Sequence, residues 1–281
     1  MMLLVLGFLF LPICAVIAGF FTWASSHGES LEDGELIRNF SVILTTCGIV
    51  LWGTSRTETV RLRIDPQFRM QTELDAHPVY STIKRVSPDN HKTLHGFLAA
   101  QLSQGGTVSD ALSQARPLLT QMANDRLGFT GQKTRVAWGQ VTVDSLKELE
   151  ASDPTLCYRA LSSQPSDRQT LAQAFSADNT KAFQQAIIQV YESADRGLRH
   201  EQPAEDKPVE FNDAAREYYA IMEVISRRFG EPVSKQLSKK SFPEPPIQPP
   251  EHMCAARIAQ LEAMLERPQA MAAMLIDSVL R

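Results

Sequence analysis

Residues 2–23 read MLLVLGFLFLPICAVIAGFFTW, an apolar run of 22 residues without a charge. A helix rises about 1.5 Å per residue, so this run covers roughly 33 Å, enough to cross a hydrocarbon core of about 30 Å. A cleaved signal peptide is the alternative, but the run lacks a preceding basic segment and a clear small-x-small cleavage site. We therefore predict a retained transmembrane helix.

A second apolar run, FSVILTTCGIVLW, occupies residues 40–52. As a helix it spans only about 20 Å, but it reaches membrane length if it extends back through Leu36 and Ile37 and if Arg38 snorkels to the interface. A buried helix of a soluble domain is the alternative. Because the run follows a strong span directly, residues 1–54 are predicted to form a transmembrane hairpin.

The charges that flank the two runs predict the orientation of the hairpin. The loop between the runs carries four acids and one base, whereas a series of arginines follows the second run. The positive-inside rule therefore places the chain after Trp52, and both termini, on the cytoplasmic side of a bacterial-type inner membrane. Near anionic lipid headgroups each arginine can contribute about 1 kcal/mol to membrane anchoring. These arginines are Arg56, Arg61, Arg63 and Arg69.

The charge balance and the cysteines agree with that compartment. The chain has 28 Lys plus Arg against 32 Asp plus Glu, which gives no reason to expect a nucleic-acid surface. Of the four cysteines, two lie in the apolar runs, and Cys157 and Cys254 are isolated in the remainder. A chain without CxxC motifs is typical of a reducing cytoplasm, so neither disulfides nor structural zinc are expected.

After the hairpin, helix start and stop signals predominate and predict a mostly α soluble domain, with one short β-ribbon as an alternative for part of it. Residues 55–89 are predicted to form a basic juxtamembrane stalk, and residues 90–241 a helical domain. Residues 242–250 contain five prolines and are expected to form an extended strap. Residues 251–281 predict a C-terminal pair of helices that breaks at Pro268.

Capping signals predict individual helix ends within the helical domain. Asn90 is expected to cap a helix that runs to about Gln104. Thr107 with Asp110 resembles a capping box, and the helix that it opens should kink or break at Pro117.

Residues 128–143 give a mixed pattern. Valines and Trp138 partly alternate with polar residues, while Gly131 and Gly139 interrupt any helix. We expect either a small β-ribbon or an ordered loop that packs Trp138 into the core.

The C-terminal helical pair carries a Met-rich apolar surface that two short helices cannot bury alone. Docking in cis on the main domain is one interpretation. The other is a partner-binding surface, because Met-rich faces adapt to different partners. The residues of this surface are Met264, Leu265, Met271, Leu275 and Ile276.

Few residues suggest chemistry. His91 and His95 lie four apart on one helix face, a spacing that allows a shared metal ion, but no HExxH pattern accompanies them. Cys157 is a candidate nucleophile near a helix start, yet cysteine is among the most buried residue types and no histidine lies nearby in the sequence. Nucleotide-binding, esterase and EF-hand motifs are absent, so we predict no cofactor and no catalytic motif.

Two classes of function follow. The favoured class is a membrane-anchored helical binding or regulatory module, such as an adaptor or an immunity-like protein, that contacts another protein and membrane lipids at the inner face of the membrane. The alternative is a membrane-bound enzyme or metal-binding protein whose site is assembled from Asp89, His91, His95 and Cys157, because catalytic groups converge in space.

Overall fold

The computed structural model describes residues 66–161, 168–201, 209–239, 242–243 and 246–281. The predicted hairpin and Arg56, Arg61 and Arg63 lie outside these residues. The chain divides into two units, Met1–Glu73 and Leu74–Arg281, and the described part of the first unit is the beginning of a helix that carries Arg69. Among the described residues, no helix has both the length and the apolar character that a bilayer crossing requires.

The described residues form thirteen α-helices and no strand, which confirms the prediction of a mostly α protein. In chain order the helices are α1 (Pro66–Ala76), α2 (Pro78–Val86), α3 (Pro88–Ser103), α4 (Val108–Gln114), α5 (Arg116–Asn124), α6 (Gln132–Ser152), α7 (Pro154–Leu161), α8 (Arg168–Gln173), α9 (Ala177–Leu198), α10 (Phe211–Phe229), α11 (Glu231–Leu237), α12 (Pro250–Leu265) and α13 (Gln269–Leu280). A single 3₁₀ turn, Leu127–Phe129, precedes α6.

Helix α6 is the element on which the second unit is built. It packs against α9, which also contacts α2 and α5, and against α7, α12 and α13. Helices α10 and α11 pack in turn on α12. The unit therefore has an N-terminal group of helices (α2–α5, α8 and α9) and a C-terminal group (α7 and α10–α13), which meet along α6.

The prediction of a β-ribbon or loop for residues 128–143 is wrong, because these residues form the 3₁₀ turn and the first half of α6. Gly139 is the reason that α13 can lie so close to α6. A Cβ atom at this position would be 2.9 Å from Cδ1 of Ile276, closer than carbon atoms normally approach. Trp138 is buried, as predicted, and its indole N–H donates a hydrogen bond to Asn124 at 2.9 Å.

Several predicted helix ends are confirmed. The hydroxyl of Thr107 accepts a hydrogen bond from the backbone N–H of Asp110 at 3.1 Å and begins α4. The chain then breaks into α4 and α5 beside Pro117, as the missing N–H of proline requires. Asn90 does not cap its helix, because α3 already begins at Pro88.

The C-terminal helical pair docks in cis, on α6 and α10. Met264, Leu275 and Ile276 are completely or almost completely buried in the core, and Leu265 and Met271 are partly buried against it. The apolar surface that was predicted to bind a partner therefore forms part of the core of this unit.

Cys157 of α7 and Cys254 of α12 form a disulfide, contrary to the expectation from the sequence. Their Cα atoms are 5.9 Å apart, and both residues are fully buried. The hydroxyl of the neighbouring Tyr158 donates a hydrogen bond to the carbonyl oxygen of Pro243 at 2.6 Å, which holds the start of the proline-rich segment against α7. Ninety-seven positions separate the two cysteines, so local sequence contained no sign of their pairing.

Candidate functional site

A cavity of about 360 Å³ lies beside α6, where the N-terminal and C-terminal groups of helices meet. This volume is within the range of roughly 300–1,000 Å³ that is typical of small-molecule sites. Much of its wall is apolar and includes Leu146, Leu149, Leu171 and Leu261. The wall also contains two buried arginine side chains, one from α5 and one from α12, and these define its chemistry.

Arg116, the first residue of α5, is only 9% exposed, and its guanidinium group has a fixed position. Its Nη2 atom donates hydrogen bonds to Oγ of Ser145 at 2.8 Å and to Oδ1 of Asn179 at 2.7 Å. The guanidinium carbon lies 3.5 Å from the ring centre of Phe175 and 4.1 Å from that of Phe183. These contacts hold the planar cation in one orientation, as stacking and hydrogen bonding to arginine generally do.

All of these contacts of Arg116 are neutral. Among the described residues it forms no ion pair with an acid, and three of its five N–H donors have no partner. Burial lowers the pKa of Arg116 to about 9, opposed only by the charge of Glu148. A carboxylate oxygen of Glu148 is itself bound to the backbone N–H of Ser176 at 2.7 Å. Arg116 is thus a buried cation without a bound counter-charge, which is energetically costly unless an anion compensates it.

Arg257 of α12 shows the same combination in the C-terminal wall. It is 6% exposed, and its Nη1 atom donates a hydrogen bond to Oε1 of Gln260 at 2.8 Å. Its guanidinium carbon lies 5.0 Å from the ring centre of Phe242. Burial lowers the pKa of Arg257 to about 10, and no ion pair involves this arginine in the part of the chain that the structure describes.

The cavity opens to solvent along a polar edge. Gln121, Asp125 and Arg281 line it and are exposed. Thr120 and Thr142 add hydroxyl groups to the same wall. A ligand can therefore enter past polar side chains and bury an apolar body inside, which is the usual arrangement of a small-molecule site.

The predicted histidine pair lies elsewhere, on α3. The rings of His91 and His95 stack with their centres 5.9 Å apart, and the hydroxyl of Tyr80 is hydrogen-bonded to Nδ1 of His95 at 2.7 Å. Burial, and then the neighbouring His95, lower the pKa of His91, whose Nε2 atom is buried without a partner. No cluster of three or more metal-binding side chains is found among the described residues.

The other predicted chemical residues are dispersed. Asp89 is exposed in the first turn of α3, and Cys157 is bonded to Cys254 inside the core. Neither these residues nor His91 and His95 line the cavity.

Arg116 and Arg257 are not among the residues predicted from the sequence. A signal was present for Arg257, which is the only charged residue between positions 253 and 261 of an apolar helix. A charge in such a stretch is buried whenever the helix is surrounded on all sides, and Met253, Ile258 and Leu261 on the same helix are buried. For Arg116 no comparable signal exists, because both polar and apolar residues neighbour it in the sequence.

Comparison of the chain with protein-family models, with curated proteins and with solved structures gives no match. The fold is a helical unit around α6, and the candidate site is a cavity whose wall contains two buried arginines that form no ion pair with a described residue.

Proposed function

We propose that this protein is a membrane-tethered binding module whose helical unit takes up a small organic anion in the cavity beside α6. The observation that supports this proposal best is the environment of Arg116, which is buried, oriented by neutral contacts and not bound to any acid of the described residues. An acidic group of a ligand would supply the missing charge. Hydrogen bonds between arginine and an anion are roughly twice as strong as neutral ones.

The class of function remains the one predicted from the sequence, a binding or regulatory module. The proposed contact is now a small ligand in the cavity in place of a protein partner on the C-terminal helical pair. The surface first assigned to a protein partner is buried in cis, with Met264 and Ile276 at 0% exposure. A small ligand in the cavity is therefore the primary interaction in the proposal. Because both groups of helices contribute to the wall, ligand binding would be transmitted to both groups and through them to any protein partner.

The membrane tether and the side of the membrane are also proposals. The two apolar runs and the arginines after Trp52 favour a hairpin with the helical unit in the cytoplasm. The disulfide between Cys157 and Cys254 is more typical of an oxidising compartment. Reporter domains fused after Gly53 and after Arg281 test this point. Cytoplasmic signals from both fusions support the proposal, and a periplasmic signal from either contradicts it.

The binding proposal is tested by calorimetry on the full chain, purified in detergent, with hexanoate as the probe and hexanol as its neutral counterpart. Hexanoate is expected to bind saturably and more tightly than hexanol. Arg116→Gln removes the charge and should weaken hexanoate binding about tenfold or more, because hydrogen bonds to charged groups contribute about 1.5–3 kcal/mol.

Arg216→Gln is the matched control. Arg216 is 76% exposed and pairs with Asp213 on the surface of α10, so its loss should leave binding unchanged. Equal affinity of the wild type and of Arg116→Gln for hexanoate would contradict the proposal, and so would equal affinity of the wild type for the acid and the alcohol.

A further inference from the structure

Arg257 gives the cavity a second cationic position. Its Nη1 atom bonds to Gln260, which leaves Nε and Nη2 without a partner among the described residues. These two atoms form one edge of the guanidinium group, and two parallel N–H donors on such an edge match the two oxygens of a carboxylate. The edge that is best suited to an acid is therefore unoccupied by any described side chain.

The two arginines are held by separate sets of contacts. Arg116 is fixed by α6 and α9 and by the ring of Phe175, which follows α8. Arg257 is fixed by its own helix, α12, and by Phe242 of the proline-rich segment. The two arginines share no hydrogen-bond partner among the described residues, so the two cationic positions in the cavity wall are held independently.

The wall around these two positions is apolar. Leucines of α6, α8 and α12 line the same cavity as the two cations. Such a surface favours a hydrocarbon or ring body, since about 25 cal/mol is gained for each Å² of apolar surface that leaves water. Each of the two buried cations lacks an acidic partner among the described residues, and two negative groups on one ligand would compensate both.

We infer that the ligand of this cavity is a dianionic organic acid with an apolar body, which places one acidic group at Arg116 and the other at Arg257. This inference rests on the proposed function and narrows its ligand class. It assigns Arg257 a role in selecting ligands with two acidic groups, whereas Arg116 binds any organic acid.

The experiment compares diacids with monoacids of the same chain length. Adipate, suberate and sebacate are titrated into the full chain, and hexanoate, octanoate and decanoate serve as their counterparts. For at least one length the diacid is expected to bind about tenfold or more tightly than the monoacid, from the additional charge-assisted contact. Arg257→Gln should abolish this preference while leaving monoacid affinity unchanged.

Two further variants separate recognition from folding. Arg257→Lys keeps the charge but loses the paired donors, so it should retain only part of the preference for diacids. Arg216→Gln should retain all of it. Circular dichroism of each variant verifies that the helical content is that of the wild type.

Each remaining outcome gives a definite answer. Equal binding of diacids and monoacids by the wild type would overturn the inference of a dianionic ligand. An equal loss of affinity for both kinds of acid in Arg257→Gln would also overturn it, because one acidic group would then contact both arginines. In either case the Arg116-dependent binding of hexanoate, and with it the proposed function, would stand. Failure of every acid to bind the wild type would overturn both.

Discussion

Replacement of Arg257 by methionine should raise the free energy of unfolding of the ligand-free protein. Methionine has a similar length and fills the apolar surroundings without a charge, and substitution of buried ionic groups by hydrophobic residues is often stabilising. The burial that lowers the pKa of Arg257 from its ordinary value to about 10 corresponds to a cost of about 3 kcal/mol for holding the cation inside. Loss of the charge-assisted hydrogen bond to the buried Gln260 offsets about 2 kcal/mol of this gain.

The sign of this pKa shift determines the pH range in which wild type and Arg257→Met should differ in stability. The folded state binds the proton of Arg257 less tightly than the unfolded state does. The cost is therefore fully present below a pH of about 10, and it disappears as the pH rises from there to the ordinary pKa of arginine. At neutral pH we expect a net stabilisation of about 1 kcal/mol, which raises the melting temperature of a unit of this size by about 2–4 °C.

The measurement is thermal unfolding of the full chain, followed by circular dichroism in the absence of ligand. Arg216→Met serves as the control, because this exposed arginine has no desolvation cost to relieve, and its melting temperature should stay close to that of the wild type. A lower melting temperature for Arg257→Met would refute the reasoning, because it would show that Arg257 stabilises the fold through its contacts and is not retained for a ligand.

Three further predictions concern the rest of the unit. Gly139→Ala should lower the free energy of unfolding by about 1–3 kcal/mol, because the added methyl group forces α6 and α13 apart. Gly96 on α3 has open space around it, so Gly96→Ala should raise the free energy of unfolding by up to about 1 kcal/mol. Thermal melting curves of the two variants measure this contrast. Replacement of Cys157 and Cys254 together by serine should destabilise the protein by about 4–5 kcal/mol, as expected for a closed loop of about 100 residues, and denaturant unfolding under non-reducing conditions measures the difference. The lowered pKa of His91 means that the unfolded state binds more protons than the folded state, so stability falls as the pH drops through about 6.5. His91→Gln should therefore reduce the difference in melting temperature between about pH 7 and pH 5. An unchanged difference would contradict the assignment of this effect to His91.

Most of the helices and many of their ends follow from local signals in the sequence. The cap at Thr107 and the breaks at Pro117 and Pro268 are found as predicted, because caps and prolines act on the few residues around them. The first half of helix α6 was missed for the opposite reason. Its valines and Gly139 lower the local helix propensity, and contacts with α9, α12 and α13 outweigh that preference.

The candidate site depends on contacts that the sequence does not display. Asn179 lies 63 positions from Arg116 along the chain, and its side chain is directed to the guanidinium group because Ser176, and not Asn179, caps α9. An arginine in a helix is ordinarily solvated, so its burial becomes visible only when the surrounding helices are placed. The pairing of Cys157 with Cys254 is another such long-range contact.

The buried position of the disulfide between Cys157 and Cys254 restricts the stage of folding at which the bond can form. Thiol–disulfide exchange requires direct access of a thiolate to one of the sulfur atoms, and both cysteines are at 0% exposure. The bond must therefore form when α7 and α12 have met but before the core has closed over the two sulfur atoms, with whatever oxidant the surroundings supply at that moment. Once the core has closed, the sulfur atoms are protected from the medium into which the protein is later placed. The oxidation state of this one pair, measured in the native protein, is thus a lasting record of the compartment in which the helical unit folded.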